Sequence, residues 1–199
     1  MNSIPLKLVF EDLLSEFVMK KLVEKTGRYL ITNSYPGGGY GYIKKNIDRF
    51  SEASRAVPFF ILTDLDQAIC ANVLKREWLK REPHPNLIFR IAVREVEAWL
   101  LADIEGFSKF SGRNLTSIIP KNTELIQNPK EFLIQLIRKS RFRTIREDII
   151  PKDAFANIGP NYNQQLCIYV NNFWDLDNAV KHSDSLRRAV IQLKTFNMT

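Results

Sequence analysis

In the first half of the chain, short apolar runs alternate with stretches whose apolar residues recur every three or four positions. The apolar runs, which we interpret as strands, cover residues 6–10, 29–32, 59–63 and 87–93. The intervening stretches, which we interpret as helices, cover residues 11–25, 42–53, 68–81 and 94–102. The third run is continuously apolar, as is typical of a parallel strand covered on both faces. Strand alternating with helix predicts right-handed crossovers and an α/β fold, with a parallel sheet flanked by helices.

The strand pattern ends near Asp103. Beyond it, helical periodicity is found at residues 105–111, 129–139, 162–173 and 183–195. We therefore expect an α/β core at residues 1–105 and a mainly helical, basic extension at residues 106–199 that packs on it. A chain of 199 residues is long enough for one such domain with its extension.

Positive charge is concentrated in the second half of the chain. The net charge is +7, and residues 111–199 hold 13 basic and 8 acidic side chains. Such an excess favours polyanions such as nucleic acid. The densest basic segment, with Phe142 inside it, contains Arg138, Lys139, Arg141, Arg143 and Arg146. Phosphate contacts beside a stacking aromatic ring suit nucleic acid, although a solvated helix face with its loop would have the same composition.

Other features exclude some classes of protein. No apolar run approaches the roughly 18 residues needed to cross a bilayer, and the N-terminus lacks a small-residue cleavage pattern. We therefore expect a cytoplasmic protein that does not enter a membrane. Cys70 and Cys167 are expected to be buried free thiols. His84 and His182 are isolated, which argues against a zinc site or a histidine triad.

Acidic residues follow two of the predicted strands. Glu11 ends the first strand, and Asp64 and Asp66 end the third. In open parallel sheets, sites form beyond the carboxyl ends of the strands, and alternate residues of an extended segment point the same way. Three carboxylates in one place would repel each other without a cation, and oxygen ligands favour Mg²⁺ or Mn²⁺. The alternative is that these acids only cap the helices that follow them.

The arrangement of a Glu after the first strand and Asp-x-Asp after a later apolar strand resembles that of TOPRIM domains. Residues 90–103, 128–130 and 159–162 also resemble stretches of uncharacterised bacterial TOPRIM-like proteins related to the OLD-type nucleases. The resemblance implies a TOPRIM-like Rossmannoid sheet and a metal-dependent nuclease that hydrolyses nucleic-acid phosphodiesters, with DNA as the expected substrate, in phage defence or DNA repair. Many TOPRIM domains have Gly after the first Glu, where this chain has Asp12.

The resemblance also favours Glu97 as a fourth carboxylate. On a helix Glu95 and Glu97 would lie about 200° apart, so both could not face one ion. The alternative for these acids is a salt bridge to Arg90 or Arg94. We expect Lys130 and Arg146 to be the cations that stabilise the transition state.

Two other functions are open at this point. The chain could be a non-catalytic nucleic-acid-binding or ATPase-partner subunit, because standalone TOPRIM proteins resembling OLD nucleases often work beside an ATPase. The glycine-rich stretch 36–41 is not followed by Gly-Lys-Ser/Thr, so it is not a P-loop. A phospho-receiver domain would use Glu11, Asp12 and Asp64, but it gives Asp66 no role and no Lys ends a late predicted strand.

Overall fold

A computed structural model describes residues 3–36, 38–153 and 155–199. It contains a four-stranded, all-parallel sheet in the order β2-β1-β3-β4. The strands are β1 (Ile4–Phe10), β2 (Tyr29–Pro36), β3 (Phe59–Asp64) and β4 (Leu87–Ala92). The predicted α/β fold with a parallel sheet flanked by helices is therefore confirmed, and each predicted strand lies where its apolar run placed it.

The helices of the first half connect the strands. They are α1 (Leu13–Thr26), α2 (Tyr40–Ala53), α3 (Ala71–Trp78) and α4 (Val96–Leu101). The chain leaves β1 for the outer strand β2 and then returns past β1 to form β3. The direction of winding thus reverses between β1 and β3, and in open α/β sheets the crevice at such a switch point is where ligands bind.

Alternation along the strands divides the core between the two faces of the sheet. On β1, Leu6 and Leu8 pack with α1 on one face, whereas Val9 points to the other face. That second face is covered by α2 through Ile43 and by α3 through Trp78. Both faces are therefore apolar and covered, which explains why β3 is continuously apolar.

The second half of the described chain is helical and contains no strand among its described residues. Its helices are α5 (Ile104–Ser111), α6 (Pro129–Arg138), α7 (Arg143–Ile149), α8 (Tyr162–Asn172), α9 (Leu176–Ala179) and α10 (Asp184–Thr195), with a 3₁₀ turn at Thr123–Leu125. Four of the six were predicted; α7 and α9 are short and were not. α8 and α10 pack on α1, so the extension covers one face of the sheet. The division at residue 105 stays a prediction.

Local chemistry sets several boundaries. Asp12 caps α1 by accepting a hydrogen bond from the backbone N–H of Ser15 (2.8 Å), and Gly27 ends the helix in the left-handed conformation (φ 62°). α3 is shorter than the predicted 68–81, because the loop after β3 continues to Cys70 and the backbone is extended again at Leu79. Cys70 is exposed at the start of α3, so the expectation that it is buried was wrong. Cys167 is buried, as expected.

The glycine-rich loop is only partly within the described residues. Gly37 lies outside them, while Gly39 directly precedes α2 with φ 91°. Trp78, Trp99 and Trp174 are core residues, as their apolar surroundings suggested. No helix among the described residues is long and apolar enough to span a membrane.

Candidate active site

Glu11 and Asp64 meet at the switch point of the sheet. β1 and β3 are parallel neighbours, so their carboxyl ends lie at the same edge. The backbone N–H of Asp64 donates a hydrogen bond to Oε1 of Glu11 (3.2 Å), and the hydroxyl of Thr63 donates to the same oxygen. The structure therefore brings together the two carboxylates that end the two strands.

Asp66 lies two residues beyond Asp64 on the exposed loop. It has a left-handed backbone (φ 48°), which Asp tolerates better than most non-Gly residues. The Arg94 guanidinium donates to the backbone carbonyl of Asp66 (3.1 Å), which helps to fix this loop. The charge of Asp66 contributes to raising the pKa of both Glu11 and Asp64.

Glu97 is a buried carboxylate with two defined partners. Its side chain is only 3% exposed. The Tyr162 hydroxyl donates a hydrogen bond to Oε1 of Glu97 (2.9 Å), and Nζ of Lys130 lies 3.6 Å from the same oxygen. The alternative of a salt bridge between Glu97 and Arg90 or Arg94 was therefore wrong, because the cation that Glu97 faces comes from α6.

Glu95 faces the same lysine. Its Oε2 accepts a hydrogen bond from the backbone N–H of Lys130 (2.8 Å). The prediction that Glu95 and Glu97 point apart assumed that both lie on a helix. In the structure α4 begins at Val96, and Glu95 precedes it with an extended backbone (φ −138°). The separation of about 200° that a helix would impose on Glu95 and Glu97 therefore does not apply.

Asp64 links β3 to α4. Its Oδ1 accepts a hydrogen bond from the backbone N–H of Val96 (2.9 Å), the first residue of α4. The alternative that the acids cap helices thus holds in part for Asp64, although the helix is not the next one in sequence. It does not hold for Glu11, since Asp12 caps α1.

We call Glu11, Asp64, Asp66 and Glu97 the carboxylate cluster. Burial raises the pKa of Asp64 well above its usual value, and the charges of Glu97 and Glu11 raise it further. Burial likewise raises the pKa of Glu97 against the opposing charge of Lys130. Burial alone would lower the pKa of Lys130, but the carboxylates around it outweigh burial and raise it. One lysine thus faces several acids, so the cluster favours an additional proton or cation.

The donor chemistry of the cluster suits a hard divalent ion. Glu11, Asp64 and Glu97 each accept their hydrogen bonds through a single oxygen, Oε1, Oδ1 and Oε1 respectively. The second oxygen of each accepts none from the described part of the chain. A carboxylate oriented through one oxygen can offer the other to Mg²⁺ or Mn²⁺. Within the described ranges, however, no three His, Cys, Asp or Glu side chains are arranged to enclose an ion.

The basic segment divides between two helices. Arg138 ends α6 and Lys139 follows it, while Arg143 begins α7 and pairs with Glu147 (2.6 Å). Arg146 donates to the backbone carbonyl of Ser140. Arg146 therefore fixes the turn between the two helices, and of the two expected cations only Lys130 lies at the carboxylate cluster.

A groove extends along α6 from Lys130, which contacts Glu97, to Arg138 of the basic segment. It has a volume of about 990 Å³, and its lining includes Glu95, Asn128, Lys130, Ile134 and Arg138. Arg141 and Phe142 lie exposed beyond the end of α6. The groove thus has a lysine at one end and an arginine at the other.

The sequence did not reveal the roles of Thr63 and Tyr162. Thr63 was treated only as the last residue of a buried strand, although its position before Asp64 places it at the sheet edge. Tyr162 lies in the stretch 159–162, which was singled out for its resemblance to TOPRIM-like proteins and was given no role. In the structure Gly159 makes a turn against Ile149, and α8 begins at Tyr162.

Residues 9–176 match the model of a protein family described as a domain of unknown function, DUF4276. The chain belongs to this family. The DUF4276 match includes the whole carboxylate cluster together with Lys130 and Tyr162. No curated protein and no solved structure matches the chain.

Proposed function

We propose that this DUF4276 protein is a Mg²⁺- or Mn²⁺-dependent nuclease of the TOPRIM type that hydrolyses phosphodiester bonds, with DNA as its substrate. The observation that carries the proposal is a set of three carboxylates, the buried Glu97 and the half-buried Glu11 and Asp64. They lie beside Lys130, and each keeps one oxygen without a hydrogen bond from the described residues. A role in phage defence or DNA repair stays a prediction from the resemblance.

Glu11, Asp64 and Asp66 would hold the metal, with Glu97 as a further ligand. A divalent ion bound there would polarise the scissile phosphate and lower the pKa of a bound water. The hydroxyl of Thr63 and the N–H of Val96 orient the carboxylates before substrate arrives. Such preorganisation is the usual source of electrostatic catalysis.

Lys130 is a cation that the protein itself places at the site, in addition to the proposed metal ion. Its pKa is raised by Glu97, Glu95 and Asp64 against the effect of burial, so it is protonated at neutral pH. An ammonium beside the carboxylates can neutralise the charge that develops on a phosphate in the transition state. The groove from Lys130 to Arg138 would hold the substrate strand. Beyond the end of the groove, the strand would meet the other basic residues of the segment, Lys139, Arg141, Arg143 and Arg146.

The experiment is a cleavage assay on plasmid and single-stranded DNA with Mg²⁺ or Mn²⁺. We expect EDTA to abolish cleavage and Asp64→Asn to reduce it by about 100-fold or more, the loss typical of a preorganised electrostatic group. The matched control is Asp12→Asn, because Asn caps a helix about as well as Asp. Cleavage that survives both EDTA and Asp64→Asn would rule out the metal mechanism.

A second function is a nucleic-acid-binding or ATPase-partner subunit without catalysis. It is favoured by the hydrogen bond from Val96 to Asp64 and by the lack of a metal-enclosing group among the described residues, since such acids could be structural. This alternative predicts DNA binding in EDTA that Asp64→Asn does not change, together with no cleavage under any metal condition.

A further inference from the structure

A second group of charged side chains lies at the outer edge of the sheet. β4 is the last strand, and beside it is a cavity of about 230 Å³ between α3 and α10. Lys75 and Asn72 of α3, Arg90 of β4 and Arg188 of α10 line it. None of these residues belongs to the carboxylate cluster.

The cations of this cavity repel one another. Burial lowers the pKa of Lys75, and the charge of Arg90 lowers it further. Burial likewise lowers the pKa of Arg90, with a further contribution from Arg188. Lys75 and Arg90 are thus two partly buried positive groups that line one cavity with the exposed Arg188, an arrangement that costs free energy unless negative charge compensates it.

Lys75 and Arg90 have no carboxylate partner in the described part of the chain. Neither forms a salt bridge there. Nη1 of Arg90 donates to the side-chain oxygen of Gln192 (2.9 Å), but its Nε is buried without a hydrogen-bond partner. A buried guanidinium N–H without an acceptor is uncommon and calls for one.

Two acids also line the cavity, but both already have partners. Oε1 of Glu124 accepts hydrogen bonds from the hydroxyl of Ser183 (2.8 Å) and the backbone N–H of Ser185 (2.6 Å). Asp184 pairs with Nε of Arg188 (2.6 Å) and also with Arg187. Asp184 therefore compensates Arg188, whereas Glu124 keeps its negative charge because its hydrogen-bond donors are neutral. The three cations and two carboxylates of the lining thus leave a net charge of +1.

We propose that this cavity binds the phosphate group of a phosphate monoester or of free phosphate. The net positive charge of the lining favours an anion, and a guanidinium together with an ammonium is a common phosphate-binding pair. The Asn72 side chain adds a hydrogen-bonding group. The volume is below the roughly 300–1,000 Å³ of sites for drug-sized ligands, which suits a small anion. The inference is independent of the proposed nuclease activity.

The test is calorimetric titration with inorganic phosphate in EDTA, with chloride at matched ionic strength as the reference. We expect saturable binding by the wild-type protein and binding at least about tenfold weaker in Lys75→Gln, since this variant cannot form the charge-assisted hydrogen bond. Arg76→Gln is the matched control, because Arg76 is exposed on the same helix and does not line the cavity. It should bind as the wild type does.

Two further experiments identify the source of the phosphate group and separate the phosphate site from the proposed nuclease activity. A DNA oligonucleotide with a 5′-phosphate that competes with inorganic phosphate, while the 5′-hydroxyl form does not, would identify a strand end as the source. If neither oligonucleotide competes, a strand end is excluded as the source of the phosphate group. Asp64→Asn should bind phosphate normally whether or not it cleaves DNA. Absence of saturable binding, or equal binding by Lys75→Gln and the wild type, would overturn the phosphate site.

Discussion

Replacing Asp64 by Asn should make the metal-free protein more stable. Asn retains an oxygen that can accept the hydrogen bond from the N–H of Val96, which Asp64 now accepts at 2.9 Å. It removes a buried negative charge that lies beside Glu11 and Glu97. The shape of the site is therefore preserved while its repulsion falls.

The size of the effect follows from two opposing terms. Exchanging a charged acceptor for a neutral one weakens the hydrogen bond to Val96 by about 1 kcal/mol. Burying a carboxylate without a matched cation costs several kcal/mol, and that cost disappears in Asn. We expect Asp64→Asn to gain roughly 1–3 kcal/mol at neutral pH, or about 2–12 °C in Tm at a rate of about 2–4 °C per kcal/mol for a chain of this size.

The pH dependence has a defined sign. Burial raises the pKa of Asp64 above its usual 3.8, so between these two values the folded protein binds more protons than the unfolded chain. Its stability therefore falls as pH rises through this window and levels off above the folded-state pKa. Asp64→Asn should flatten part of this fall. Glu11 and Glu97 also have raised pKa values, so in this variant they should still make the stability fall as pH rises.

The assay is thermal unfolding in EDTA and across a Mn²⁺ titration. If the cluster binds the ion, Mn²⁺ at about 100 times its Kd should stabilise the wild type by about 2.7 kcal/mol and Asp64→Asn by much less. Asp12→Asn, which removes a nearby exposed charge and keeps the cap, should respond to Mn²⁺ as the wild type does. A metal-free Asp64→Asn protein less stable than the wild type, or one stabilised equally by Mn²⁺, would refute the reasoning.

Two other substitutions test the surroundings of the cluster. Tyr162→Phe removes the hydroxyl that donates to the buried carboxylate of Glu97 and should cost about 1–3 kcal/mol in thermal unfolding; a cost no larger than that of Tyr169→Phe, whose hydroxyl faces neutral carbonyls, would contradict this. The double change Arg141→Ala and Arg143→Ala should weaken DNA binding equally for all sequences and reduce the salt slope by about 0.9 for each phosphate that the variant no longer neutralises. An unchanged salt slope in a binding titration would mean that the segment is solvent-exposed surface that does not contact DNA.

The sequence by itself determined the parallel α/β fold and the acids at the strand ends. These features depend on local periodicity, since a continuously apolar run such as 59–63 fits a strand covered on both faces. Parallel connections then place the carboxyl ends of the strands at one edge. The meeting of Glu11 and Asp64 follows from these local signals once β1 and β3 are neighbours.

Only the tertiary structure decided the partners of Glu97. Lys130 and Tyr162 come from α6 and α8, and their distances from Glu97 depend on how the helical extension packs on the sheet. The same holds for Lys75 and Arg90, which α3 and β4 bring to one cavity. Local periodicity carries no information about such long-range packing, because it describes which face of an element is apolar and not which element covers that face.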